Sequence, residues 1–100
     1  MKTIQMNKLS ESEIKTRLKD VEGWEYEDNA IHTSFEFENF KDAFSAMSRI
    51  AFEAEALNHH PDWSNVYNVV NISLSTHDAG GVTENDFQLA KAIDGIVEEE

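Results

Sequence analysis

Apolar and polar positions along this chain change period several times, and each change marks an element. Ser10-Glu-Ser-Glu13 has the form of a capping box, in which the Ser10 hydroxyl accepts from the Glu13 amide and the Glu13 carboxylate returns to the Ser10 amide. A helix is predicted from there, with Ile14, Leu18 and Val21 as a narrow apolar stripe and its end near Gly23. Trp24-Glu-Tyr26-Glu alternates, Asp28-Asn29 carries turn chemistry, and Ile31-His-Thr33-Ser-Phe35-Glu-Phe37 alternates again. Together these predict a β-hairpin with Ile31, Thr33, Phe35 and Phe37 on one face and His32 on the other, solvated beside acidic neighbours. Asn39 caps a long helix in which Phe40, Phe44, Met47, Ile50 or Ala51, Ala54 and Leu57 recur at helical spacing, the pattern of the main core helix packed on a sheet. Pro61 disfavours the α conformation at His60 and stops that helix at or before residue 59. Asp62 to Ser75 is strand, with Val70, Ile72 and Leu74 on one face; periodicity leaves open one long strand or a hairpin turning near Asn65 to Asn68. Thr76 to Gly81 is a turn or loop, and Thr83 to Asp86 a second cap signature. Phe87, Ala90, Ile93 or Asp94, and Val97 then form a last amphipathic helix that frays into Glu98-Glu99-Glu100.

The order is helix, two strands, helix, one or two strands, helix, without internal repeat or low-complexity linker. So few strands cannot cover both of their own faces, which predicts an α+β fold of two layers: a small antiparallel sheet with the helices on one face. The other sheet face and the sheet edges stay partly bare, and association would cover them.

Composition narrows the function classes. A chain of 100 residues makes a single domain, residues 1–100. Cysteine is absent, which removes disulfides, thiolate metal sites and cysteine nucleophiles. Twenty acidic against eight basic residues give a formal charge of −12, which argues against direct nucleic-acid binding. No apolar run approaches the roughly 20 residues of a membrane span, and Met1-Lys2-Thr3-Ile4-Gln5 lacks the apolar centre of a signal peptide. The expected location is the cytosol, with no membrane partner.

The chemistry-bearing residues gather between Glu55 and Asp86, where three of the four histidines lie. A metal site is disfavoured, because adjacent His59 and His60 would point to opposite sides of a strand or ~100° apart on a helix. The expected metal set is therefore none. Ser64, Ser73 and Ser75 lack a nucleophile elbow, and Gly80-Gly81 lacks the lysine of a phosphate cradle. General acid and base work fits better. His59 lies at a helix C-terminus, where the dipole favours imidazolium, with Glu55 one turn earlier to add charge or fix its tautomer. Pro61 holds His60 extended, so the pair projects from a rigid corner, and His77 ends the following strand as a second candidate acid or base. The plainer alternative is a His-His C-cap, a core Trp63 and a purely capping Asp86.

Glu55-x-x-x-His59-His60-Pro61, followed by Tyr67, His77 and Asp86, resembles the signature of the pterin-4a-carbinolamine dehydratases. Trp63-Ser-Asn65-Val66-Tyr67-Asn68 and Ile72-Ser-Leu74-Ser-Thr76-His77-Asp78 are similar to that family in type and spacing, so the resemblance covers nearly the whole chain. It implies a four-stranded antiparallel sheet in the order α-β-β-α-β-β-α. It also implies dehydration of a 4a-hydroxytetrahydropterin to the quinonoid dihydropterin, with water leaving C4a and a proton leaving N5, without metal or organic cofactor. On this resemblance His59 and His77 are the acid-base pair and His60 positions the substrate. Glu55 and Asp86 support them, and Asn58, Trp63, Ser75 and Thr76 belong to the binding segments. Asn58 departs from the Asp that animal members often carry, which removes a negative charge near His59. The resemblance further implies a homodimer or homotetramer with sheets extended across the interface, and a functional link to an aromatic amino-acid hydroxylase. The alternative function on the same fold is a non-catalytic protein-binding or assembly-factor module.

Overall fold

The helices and strands follow the predicted order, and all three helices begin at the predicted caps Ser10, Asn39 and Thr83. The computed structural model describes residues 7–99; the Met1-to-Gln5 start and Glu100 lie outside them. Helix α1 spans Glu11–Leu18 and opens on the reciprocal box, with Ser10 N–H donating to Glu13 Oε1 at 2.9 Å and Glu13 N–H to Ser10 Oγ at 3.1 Å. It stops at Leu18, earlier than the expected end near Gly23. Tight turns carry the chain on from there, and Val21 is buried from those turns rather than from the helix.

Strands β1 (Glu25–Glu27) and β2 (Ala30–Glu36) pair through a two-residue turn in which Asp28 (φ 51) and Asn29 (φ 62) both take the left-handed conformation. That conformation matches the right-handed twist of a hairpin, and Asp and Asn tolerate it better than most residues. Helix α2 (Phe40–Leu57) starts at Asn39, whose Oδ1 accepts from the Asp42 amide at 2.8 Å. The open question after Pro61 resolves as a hairpin: β3 (Asp62–Val66) and β4 (Val69–Leu74) pair antiparallel around Tyr67-Asn68. Asn65 Nδ2 clamps this turn by donating to the Tyr67 and Val69 carbonyls. A 3-10 turn at His77–Ala79 leads to α3, Glu84–Glu98.

The four strands lie in the order β1-β2-β4-β3, all antiparallel. Ile31, Val70, Ile72 and Leu74 face the core, which Ile14 of α1, Ala43, Ala46, Ile50 and Ala54 of α2, and Phe87, Leu89, Ala90 and Ile93 of α3 complete. The other face carries polar rows across the strands, Glu25–His32–Ser73–Asp62 and Ser34–Asn71–Ser64. His32 stands on that face as expected, half-buried, with Nε2 3.0 Å from the Glu27 carbonyl.

Helix α2 keeps most of its predicted face, with Ile50 and Ala54 buried and Met47 and Leu57 packed against the core, but not its two phenylalanines. Phe40 and Phe44 are 48% and 56% exposed, while the helix buries Ala43, Ala46, Ile50 and Ala54. At about 100° per residue the two phenylalanines sit some 80° and 120° round the helix from Ile50. Alanine on the buried face gives α2 a low-profile seat, whereas the phenylalanine rings stack on each other at 6.0 Å on the outside. A second contact fixes the helical layer: Arg17 of α1 pairs with Glu84 at the start of α3, and its guanidinium lies 5.0 Å from the Phe87 ring.

Candidate active site

Asn58 creates the corner on which the site is built. It sits in the left-handed conformation (φ 51, ψ 44) at the end of α2, a position where Asn is tolerated and most side chains are strained. Its amide and that of His59 satisfy the last helical carbonyls, so the helix ends cleanly at Leu57 before Pro61 is reached. This reversal changes the expected pairing of Glu55. The chain no longer continues along the helix face, and Glu55 Oε1 meets His60 Nε2 at 2.8 Å instead of supporting His59. Both partners are largely exposed, so the pair orients the ring more than it stabilises the fold.

His59 turns inward, with 11% of its side chain exposed, and its Nε2 lies 2.5 Å from Oδ1 of Asp86. Asp86 is fully buried at the start of α3. A buried carboxylate is tolerable only when its lone pairs are met, and Asp86 Oδ2 also accepts from the Thr83 amide and the Thr76 hydroxyl, each at 2.9 Å. Thr76 Oγ1 is in turn 2.7 Å from Thr83 Oγ1. Because an ionised carboxylate only accepts, the His59 tautomer must carry hydrogen on Nε2, which leaves Nδ1 as the atom that can exchange a proton. Asp86 thus ties His59 to the residue immediately before His77.

His60 and His77 line one pocket of about 350 Å³, together with Ser75. His59 is not among its lining residues and is held instead by Asp86. Thr76, expected among the substrate contacts, bonds to Asp86, and Ser75 Oγ donates to the Asn29 carbonyl at 2.8 Å. Trp63 packs against the core and lines a larger groove of about 660 Å³ on the open sheet face, not the histidine pocket. Tyr67 stands in the turn at the far end of β3, 62% exposed. Among the described residues no three His, Cys, Asp or Glu side chains gather as a ligand set for a metal.

Sequence reasoning missed three contributors. The pattern at Thr83 signals only a cap, yet its hydroxyl also closes the Asp86 network. The Asp28-Asn29 turn and Asp62 were read as connection and strand start, yet both border the pocket. The available signal was the antiparallel order itself, which returns the β1–β2 turn, the end of β4 and the start of β3 to one end of the sheet.

Comparison with known proteins identifies relatives of this chain. The chain is 67% identical over 93 residues to a protein of Christiangramia forsetii provisionally named a pterin-4-alpha-carbinolamine dehydratase, covering 93% of this chain and 96% of that one. A similarly named protein of Solibacter usitatus is 48% identical over 89 residues, 89% of this chain and 94% of its own. A crystal structure from Brucella melitensis, titled a transcriptional coactivator/pterin dehydratase, superposes with a TM-score of 0.89 at 43% identity, over 91% of this chain and 99% of that one. A pterin dehydratase-like RuBisCO assembly factor of the alpha-carboxysome shares the fold at a TM-score of 0.62 and 19% identity, over 74% and 86% of the two chains. The model of the family Pterin 4 alpha carbinolamine dehydratase matches residues 7–96, and this chain belongs to that family.

Proposed function

We propose that this protein dehydrates a 4a-hydroxytetrahydropterin to the quinonoid dihydropterin by histidine general acid-base catalysis. The reaction breaks the C4a–O bond and removes the N5 proton, so one group must protonate the departing hydroxide and another must accept from N5. These roles are assigned to His77, inside the pocket, and to His59, which is not among its lining residues and meets the substrate where it extends over the 58–60 corner; His60 holds the ring. The observation that carries the reading is the Asp86 carboxylate, whose contact with Nε2 of His59 leaves Nδ1 as the ring nitrogen that can accept a proton. His77 opens a 3-10 turn, is exposed, and lines the pocket, where its protonated form would assist the leaving hydroxide. Such a scheme uses no metal or organic cofactor. Its place is tetrahydropterin recycling in the cytosol, downstream of an aromatic amino-acid hydroxylase that forms the carbinolamine.

Stopped-flow absorbance of carbinolamine decay tests the activity. Added protein accelerates the decay, and saturating chelator leaves the acceleration intact; decay at the uncatalysed rate would contradict the reading. A non-catalytic binding module is the function that result would leave.

The same reading includes a homodimer or homotetramer. Its support is the position of β3 at the edge of the sheet, with no further strand paired to it among the described residues, and the exposed Phe40, Phe44 and Phe52, the last 77% exposed, since side chains of this kind are ordinarily covered.

A further inference from the structure

The turn between β1 and β2 borders the histidine pocket, and the proton-transfer scheme makes no use of it. Asp28 and Asn29 line the same 350 Å³ as His60 and His77. The turn is held at two points. Ser75 Oγ donates to the Asn29 carbonyl at 2.8 Å, and the Tyr26 hydroxyl donates to Asn29 Oδ1 at 3.4 Å. With two left-handed residues in sequence it has little freedom to adjust to a ligand. The charges around the pocket are one-sided. Asp28 and Asp62 are its acidic lining residues, no lysine or arginine belongs to the lining among the described residues, and His60 already faces Glu55 at 2.8 Å.

We infer that the Asp28-Asn29 turn selects the substituent carried on the pterin ring, admitting neutral groups with hydroxyl hydrogens to donate and rejecting carboxylate-bearing ones. A carboxylate is an acceptor only, so it gains neither a hydrogen bond nor an attraction from Asp28 or Asp62. At a separation of about 6 Å and an effective dielectric of about 40, replacing a neutral group by one of like charge corresponds to roughly a tenfold change in affinity. Hydroxyl groups meet the opposite situation, since a carboxylate is the stronger acceptor for them. The selection rests on the dehydratase reading only in taking a pterin as the ligand.

The test is calorimetric titration of the protein with three 7,8-dihydropterins that differ at C6: methyl as the reference, hydroxymethyl and carboxylate. In the unaltered protein the carboxylate compound binds about tenfold or more weakly than the hydroxymethyl one. Asp28→Asn keeps the side-chain volume and a residue suited to the left-handed turn, and narrows that ratio by about threefold or more. A ratio near one in the unaltered protein, or one that Asp28→Asn leaves unchanged, overturns the inference. Failure of all three compounds to bind overturns both this inference and the dehydratase reading. Selective binding without accelerated carbinolamine decay overturns the dehydratase reading alone.

Discussion

Asp86 concentrates more of the site's energetics than any other side chain described. Its carboxylate is buried among three hydrogen-bond donors, so the energy of holding a charge away from water is offset only while all three are present. Asp86→Asn keeps the shape but presents an amide N–H to one side. If that amide faces His59 Nε2, the imidazole must move its hydrogen to Nδ1, the atom assigned to proton exchange. The expected result is a fall in kcat of about 10²-fold or more and a stability loss of about 1–3 kcal/mol, read by steady-state kinetics and by urea unfolding. Glu55→Gln makes the contrasting case. Both members of the His60–Glu55 pair are exposed, and the substitution lowers stability by less than about 1 kcal/mol in the same unfolding measurement. Asn58 makes a backbone prediction. Asn58→Gly keeps the left-handed corner nearly at no cost, whereas Asn58→Ala loses about 1 kcal/mol and displaces the histidine pair. A lower melting temperature for Asn58→Ala than for Asn58→Gly checks it.

Elements with a strong local signal were legible in the sequence, and those fixed by what lies across from them were not. Ser10-Glu-Ser-Glu13 names both partners of its own box, and Asn39 caps α2 from within its own turn. The alternation of Ile31 to Phe37 likewise identifies β2 without reference to any neighbour. In the first turns of α2 the local signal misleads, since phenylalanine outranks alanine in apolarity while the space facing the helix there admits Ala43 and Ala46. His59 and Asp86 were legible as site residues, but their bond joins positions 27 apart in the chain and depends on how α2 and α3 meet. Glu55 went to the wrong histidine because the left-handed geometry of Asn58 decides the pairing, and spacing along an ideal helix does not contain it. Helix α3 adds a pH dependence. Asp94 accepts from Trp24 Nε1 at 2.9 Å, and burial pushes its carboxyl above the usual range despite that bond, with Glu98 adding to the rise. The folded state therefore holds this proton more tightly than the unfolded chain does. Stability from this group is full below the unfolded pKa and declines as pH rises through the folded one. Asp94→Asn removes the decline, raising stability at neutral pH by less than about 1 kcal/mol after solvent screening and by nothing in acid. Unfolding midpoints of both proteins across pH 3 to 7, about the range in which carboxylates titrate, test this; parallel curves would contradict it.

At the scale of the whole molecule, antiparallel pairing does what no single element can. It brings the β1–β2 turn, the end of β4 and the corner before β3 to the same end of the sheet, so residues from distant parts of the chain surround one pocket. The helical layer closes behind it through Asp86, while the outer side of α2 leaves Phe40 and Phe44 open. If that stripe is an assembly surface, Phe44→Glu adds a like charge to a chain already at −12 and lowers the mass seen by light scattering, whereas an unchanged mass would exclude the stripe from the interface. The account as a whole depends on imidazoles from the corner and from the 3-10 turn after β4 sharing one substrate. Its most direct test is the kcat for carbinolamine dehydration of His59→Gln and His77→Ala beside the unaltered protein, each folded by its melting curve. The prediction is a loss of about 10²-fold or more in each variant, and near-normal turnover in both would contradict it.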